Sequence, residues 1–188
     1  MRGIHIVGTG RALPEKILTN EDMSRLVDTS DEWIVTRTGI RQRDICEEET
    51  CASLAAAAAK KALQEAAAKE QVRPEEIAAV VVATATSDYD FPSTACLVQK
   101  ELGLSSETMA FDLAAACSGF LYGLEVCRGL LTDSRKKYVL LIGSEQLSKI
   151  TDYTDRQTCI LFGDGAGAVV LRRDDSLYVH RAWSSGSS

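Results

Sequence analysis

Histidine is nearly missing from this chain: 188 residues contain only His5 and His180. The six cysteines (Cys46, Cys51, Cys96, Cys117, Cys127 and Cys159) include no CxxC pair. Zinc-type ligand spacing is therefore lacking, and no metal centre is expected. Clustered positive charge is also lacking. The net charge is −6, from 21 basic and 27 acidic residues. The densest basic run, Ser134-Arg-Lys-Lys137, reads as a solvated loop before a strand and not as a nucleic-acid footprint. No window approaches the ~20 apolar residues of a membrane span. The start, Met1-Arg-Gly-Ile-His-Ile-Val-Gly8, has no apolar stretch of signal-peptide length. The expectation is a cytoplasmic protein without nucleic-acid or membrane partners. Its cysteines would be free thiols, most of them inert core residues.

What is present is the composition of a globular α/β protein. Hydrophobic residues make up 45% and charged residues 26% of the chain, enough to bury a substantial core. Ile4–Val7 reads as a strand closed by Gly8-Thr-Gly10. Thr19 and Asn20 are good caps for a short helix, and Thr29 with Glu32 forms a possible capping box for another that carries Trp33 and Ile34. Residues 52–69 form the clearest helix. Their dense alanine predicts close packing against a sheet or another helix. Pro74 with two glutamates looks like a helical first turn. Residues 78–84, 108–113 and 138–143 are apolar runs of the kind found in strands buried on both faces. Between them, 93–102 and 118–131 read as helices. Gly163–Gly167 reads as a glycine-rich turn before a strand at 168–171, and Leu177–Trp183 has strand character ahead of a loop-like tail at 184–188. This alternation predicts an α/β layer fold with a mostly parallel sheet and helices on both faces.

One segment carries chemistry on its face. In Phe111-Asp-Leu-Ala-Ala-Ala-Cys-Ser-Gly-Phe120, a strand ends in small residues, Cys117 follows, and a helix begins. A helix amino terminus offers free N–H groups and a partial positive charge, which favour a thiolate over a thiol. Such a thiolate is a strong nucleophile for acyl transfer. Locally, Cys117 reads as a small core residue before it reads as a nucleophile. Trp33 by itself reads as half-buried core before it reads as a stacking platform, and Arg156 as a surface ion-pair residue. Phe91-Pro92 is ambiguous between core and interface. Gly163-Asp-Gly-Ala-Gly167 lacks the frame of either phosphate-binding glycine loop and is taken as a structural turn.

Five collinear runs resemble the type III β-ketoacyl-acyl-carrier-protein synthase family. They are Val27-Asp-Thr-Ser-Asp-Glu-Trp-Ile-Val-Thr-Arg-Thr-Gly-Ile-Arg41, Phe91-Pro-Ser-Thr-Ala-Cys96, Asp112-Leu-Ala-Ala-Ala-Cys-Ser-Gly-Phe120, Asp155-Arg156 and Phe162-Gly-Asp-Gly-Ala-Gly-Ala168. The resemblance implies a thiolase-like fold of two related halves. Residues 1–172 would be the first half and 173–188 the start of the second. It implies Cys117 as the acyl-accepting nucleophile, and a coenzyme A site using Trp33 and Arg156 around the adenine with Thr29 and Arg37 near the nucleotide. Phe91 would line an acyl pocket across a homodimer. It further implies acyl-CoA (usually acetyl) and malonyl-acyl-carrier protein as substrates, with no cofactor beyond them.

The family completes its active site with a histidine and an asparagine from its second half. His5 and His180 do not lie in that context, so the chain is expected to be a fragment, a truncated reading frame or one part of a split enzyme. Glu47–Glu49 and the residues around 67–71 look like small surface departures. Hydroxymethylglutaryl-CoA synthases and thiolases use the same half-fold, but Asp28-Thr-Ser-Asp-Glu-Trp33 favours the type III branch. A condensing enzyme of secondary metabolism also fits these residues, as does a non-catalytic acyl-binding partner, although the presence of Cys117 argues against the latter.

Overall fold

The computed structural model describes residues 2–132 and 134–177. The expected strand at 177–183, the tail beyond it and His180 therefore lie outside the described residues, apart from Leu177. Among the described residues, seven strands and five α-helices follow one another: β1 (Arg2–Ala12), β2 (Lys16–Thr19), α1 (Asn20–Leu26), α2 (Asp31–Thr38), β3 (Gln42–Ile45), α3 (Cys51–Lys69), β4 (Ile77–Ala83), α4 (Thr94–Glu101), β5 (Met109–Leu113), α5 (Gly119–Thr132), β6 (Tyr138–Gln146) and β7 (Asp164–Leu177).

The main sheet has the order β1-β7-β6-β4-β5. β4 runs parallel to β5 and β6, whereas β7 is antiparallel to both of its neighbours, β1 and β6. Only β7 therefore opposes the common direction. The sheet is mostly parallel, as the alternating pattern predicts. Its centre is dry because successive side chains of β4 enter different cores. Val80 and Val82 pack with α3 and with Leu140 and Ile142 of β6. Ala79 and Val81 pack on the other face with Cys127 and Leu131 of α5 and with Val139 and Leu141. Burying a valine of this kind contributes roughly 1.5–3 kcal/mol.

Alanine in α3 does what its density predicts. Ala55, Ala58, Ala59, Ala62 and Ala66 are fully buried, and the helix lies almost on the backbone of β1. A Cβ placed on Gly8 would come within 2.2 Å of the Ala62 carbonyl oxygen, and one on Gly10 within 2.1 Å of the Ala58 carbonyl oxygen. These two glycines therefore do not close the first strand. β1 runs through them to Ala12, and their missing side chains make room for α3.

Other boundaries differ from the expectation for equally local reasons. The cap of α2 is Ser30, whose hydroxyl accepts from the Trp33 amide; Thr29 and Glu32 do not form a capping box. The Thr19 cap of α1 is present, with Asp22 completing a capping box. Pro74–Glu76 is a single 3₁₀ turn. β5 forms an outer edge of the sheet and is only partly covered, with Met109 exposed, so it is not a strand buried on both faces. Gly163–Gly167 is not a turn: β7 starts at Asp164 and pairs from there with Gln146 of β6. The two-stranded sheet β2–β3 has no counterpart in the sequence pattern. Its strands have four residues each and expose Lys16, Ile17 and Gln42, so they present no apolar run.

Candidate active site

β5 delivers the chain to Cys117. Past the paired residues, the Thr84 amide still donates to the Leu113 carbonyl (3.2 Å), which holds the ends of β4 and β5 together. The chain then crosses Ala114 and Ala115 into a 3₁₀ turn, Ala116–Ser118, that leads straight into α5. Ala116 has φ 45°, the one positive φ among described non-glycine residues. A left-handed alanine costs about 1–2 kcal/mol, and strain of this kind is retained where surrounding structure holds it. Here the restraints are close on both sides. Ser118 N–H donates to Ala115 O at 3.0 Å. Gly119 lets the first turn of α5 sit on β4, since a Cβ there would be 3.2 Å from that of Ala83. The turn pushes Cys117 outward, and its thiol is exposed. Cys117 thus occupies the turn before the helix and not the helix itself.

The remaining thiols are held differently. Burial pushes Cys127 up to about 12. Burial, with the Asp164 carboxylate nearby, does the same for Cys46. Cys51 and Cys159 are raised too, chiefly by burial. Cys96 is half-buried, with its sulfur 3.7 Å from the Ala110 carbonyl oxygen. All six are free cysteines, and Cys117 alone is exposed. A buried thiol is inert and an accessible one is available for reaction.

A second cluster forms around Trp33. The i,i+4 spacing on α2 brings the Arg37 guanidinium to 4.4 Å from the ring centroid, and Arg156 approaches to 4.9 Å. Both lie within cation–π range. Trp33 itself is half-buried and packs against Met23, Ile34, Cys159 and Ile160, so the core and platform readings both describe part of this side chain. Arg156 makes only a loose, exposed contact with Asp28 at 3.5 Å. Its place is set by Arg43, a buried guanidinium that donates to the Ile160 carbonyl oxygen (2.9 and 2.5 Å) and to Asn20 Oδ1 (2.7 Å). Those bonds tie the turn bearing Arg156 to β3 and α1. Asn20 in turn donates to Asp31 and to Ile40 O, both at 2.8 Å. Thr29 lies just before the Ser30 cap, and its buried hydroxyl oxygen has no hydrogen-bond partner among the described residues.

The structure thus brings Trp33, Arg37 and Arg156 together and sets Thr29 at the amino end of the same helix. Phe91 stands on the loop between β4 and α4 and is 85% exposed. His5 lies in β1 opposite Arg172. Sequence reasoning missed the supports: the Ala116 strain, the Arg43 tie, and the carboxylates of Asp88 and Asp112. Each of these carboxylates accepts from two amides at the start of a helix, Cys51 and Ala52 for Asp88, Thr94 and Ala95 for Asp112. The partners are 17–37 residues apart, and no local pattern announces them. Among the described residues no group of three or more His, Cys, Asp or Glu is placed to hold a metal ion, and no helix is long and apolar enough to cross a membrane.

Comparison with known proteins gives the arrangement its relatives. The family of 3-oxoacyl-[acyl-carrier-protein (ACP)] synthase III matches residues 111–185. A β-ketoacyl-[acyl-carrier-protein] synthase III of Natranaerobius thermophilus is 51% identical over 171 residues, covering 91% of this chain and 51% of the relative. The protein of the same name from Aquifex aeolicus is 48% identical over 188 residues, covering 98% of this chain and 59% of the relative. The crystal structure of the Aquifex aeolicus VF5 synthase superposes with a TM-score of 0.86 at 50% identity, covering 93% of this chain and 55% of that one. The priming β-ketosynthase of the R1128 polyketide pathway gives 0.86 at 36%, covering 93% and 51%. The chain therefore spans about half the length of the curated relatives it matches. With this sequence similarity and this thiolase-like α/β architecture, the chain belongs to the β-ketoacyl-[acyl-carrier-protein] synthase III family.

Proposed function

We propose that this chain supplies the nucleophile and the coenzyme A site of an enzyme that opens fatty-acid synthesis by joining an acyl group to malonyl-acyl-carrier protein. The observation that carries the reading is the exposed Cys117 on the strained turn between β5 and α5. The Cys117 thiolate attacks the thioester carbon of acyl-CoA, acetyl in the simplest case. Coenzyme A leaves as its thiolate and takes up a proton, and the acyl group remains on Cys117. Malonyl-acyl-carrier protein then loses carbon dioxide. Its carbanion attacks the cysteine thioester, and the Cys117 thiolate is expelled as the β-ketoacyl product forms. In this reading, residues 1–172 are the first of two related halves and 173–188 open the second. A histidine and an asparagine of that second half would stabilise the decarboxylation.

The Trp33 cluster suits coenzyme A. An indole face flanked by two guanidiniums can stack adenine and pair with phosphate, and the unpartnered Thr29 hydroxyl adds a polar group beside it. For adenine to lie between Trp33 and Arg156, the two must stand about two stacking distances apart, roughly 7 Å, so the guanidinium now 4.9 Å from the ring moves outward by about 2 Å. Phe91, so fully exposed, fits a role across a homodimer at the partner's acyl pocket. The protein would work in the cytoplasm, with acyl-CoA and malonyl-acyl-carrier protein as partners and no bound cofactor. The likeness to a polyketide priming synthase supports a second reading, priming in secondary metabolism; the higher identities to the synthase III relatives favour the first.

Condensation of acetyl-CoA with malonyl-acyl-carrier protein by the full-length protein tests the reading. Cys117→Ser should reduce product formation at least about a thousandfold, the scale on which removing a nucleophile acts. A Cys117→Ser protein that condenses at the parent rate overturns it. Trp33→Ala should weaken acyl-CoA use by about 1–3 kcal/mol, the worth of one aromatic stack, while sparing the malonyl step. Equal loss in both half-reactions makes Trp33 structural.

A further inference from the structure

The loop from Thr84 to Ser93, which carries Phe91, is clamped at both ends by side chains from three other elements and by backbone amides of a fourth. At its start, Glu145 of β6 accepts from the Ala85 amide (2.8 Å) and from the Thr86 hydroxyl. The Gln146 amide donates to that same hydroxyl at 2.8 Å. Lys149, on the 3₁₀ turn after β6, donates to Thr86 O (2.5 Å) and Ser87 O (2.9 Å) and faces Asp88 Oδ1 at 3.5 Å. Two of the ammonium's three donors thus have carbonyl acceptors on this loop, and Asp88 adds an ion pair. Asp88 accepts from the first amides of α3, Cys51 (3.0 Å) and Ala52 (2.7 Å). At the far end, Asp112 of β5 accepts from Thr94 (2.7 Å) and Ala95 (2.8 Å). Between the clamps only residues 89–93 are left to project, and Tyr89 and Phe91 are 62% and 85% exposed.

Lys149 adds little to the fold itself. Its side chain is 31% exposed, and an ion pair that open contributes at most about 1 kcal/mol. What it fixes is the path of two carbonyls outside any helix or strand, four and five residues before Phe91.

We propose that Lys149, acting with Asp88, is a positioning residue for the 84–93 loop: it fixes how far Phe91 projects, and so sets the acyl-chain length the enzyme accepts. This rests on the reading that Phe91 borders the acyl pocket. With the clamp intact, Phe91 shortens the pocket. With Lys149 gone, the loop gives way before a longer chain.

The experiment measures kcat/KM of the full-length enzyme for acetyl-, butyryl- and hexanoyl-CoA in three variants. Lys149→Met should raise hexanoyl-CoA use relative to acetyl-CoA about tenfold, equal to about 1.4 kcal/mol. The change should appear mainly in KM, with the thermal midpoint and the acetylation of Cys117 close to the parent. Lys149→Arg should return most of the parent profile, since a guanidinium can reach the same carbonyls. Phe91→Ala should shift the profile in the same direction and further. A Lys149→Met profile identical to the parent, beside a shifted Phe91→Ala profile, overturns the clamp and leaves the Phe91 reading standing. An unshifted Phe91→Ala profile overturns both. Uniform loss across all three substrates, with a lowered thermal midpoint, makes Lys149 merely structural.

Discussion

Helices α3 and α5 cover opposite faces of one sheet, and they do so by different means. α3 lies on β1 so closely that two glycines of the strand have their Cβ positions filled by helix backbone. α5 touches the sheet along a narrow strip, Gly119, Gly123, Cys127 and Leu131, four residues apart. The remaining apolar side chains of α5, Phe120, Leu124 and Leu130 among them, are only partly covered, and Leu121 is 60% exposed. One face of the sheet is closed by backbone-level contact within this chain. The other carries an apolar helix with surface to spare, and the exposed thiol sits on the turn just before that helix. Packing precision is invested on the α3 side and chemistry on the α5 side.

The contrast can be broken most directly at Gly10. Gly10→Ala places a methyl 2.1 Å from the Ala58 carbonyl oxygen and 2.5 Å from the Ala62 amide. Neither backbone atom can yield without moving α3, so the full-length protein should lose about 3 kcal/mol or more in denaturant unfolding. A loss below about 1 kcal/mol would mean that α3 shifts easily and the contrast is false. The matching change on the other face, Gly123→Ala, meets only side-chain atoms of Leu141, the nearest at 2.6 Å, and no backbone. Alanine also favours the helix by about 1 kcal/mol, so the net change should stay within about 1 kcal/mol in either direction. Ala116→Gly should be smaller still. It removes left-handed strain and raises stability by less than about 1 kcal/mol, while slowing acylation of Cys117 severalfold because the turn is no longer held to one shape. A faster acylation would show that the strain opposes the chemistry.

Thiol labelling sharpens the comparison within α5 itself. Burial holds Cys127 at about 12. A raised value leaves the thiol protonated below it, so at pH 8 only about one molecule in ten thousand has this thiolate. A short pulse of iodoacetamide at pH 8 should therefore modify Cys117 and spare Cys127, Cys46, Cys51 and Cys159, as read by peptide mass spectrometry. Early label on Cys127 would mean that α5 lifts readily from the sheet.

Much of this architecture was legible in the sequence, because each strong element repeats one physical signal. The valine run of β4, the alanine run of α3 and the small residues before Cys117 each state their environment locally. What stayed hidden depends on distant partners. Gly8 and Gly10 look like strand terminators until α3, about 50 residues on, lies against them. Gly163–Gly167 looks like a turn until β6 is placed alongside. Ser30 outcompetes Thr29 as the cap through a choice of one residue that spacing does not resolve. The carboxylates of Asp88 and Asp112 cap helices whose amides are far away in the chain. The Trp33 cluster was legible only through the family resemblance, since a tryptophan four residues from an arginine is an ordinary helix surface.

The central claim is that Cys117 is the acyl-accepting thiol, and brief exposure of the full-length protein to acetyl-CoA tests it most directly. After a pulse of seconds, quenching and proteolysis, mass spectrometry should find one acetyl group per chain, on the peptide containing Cys117. Acetyl on the peptides of Cys96 or Cys159, with Cys117 unmodified, would contradict the account.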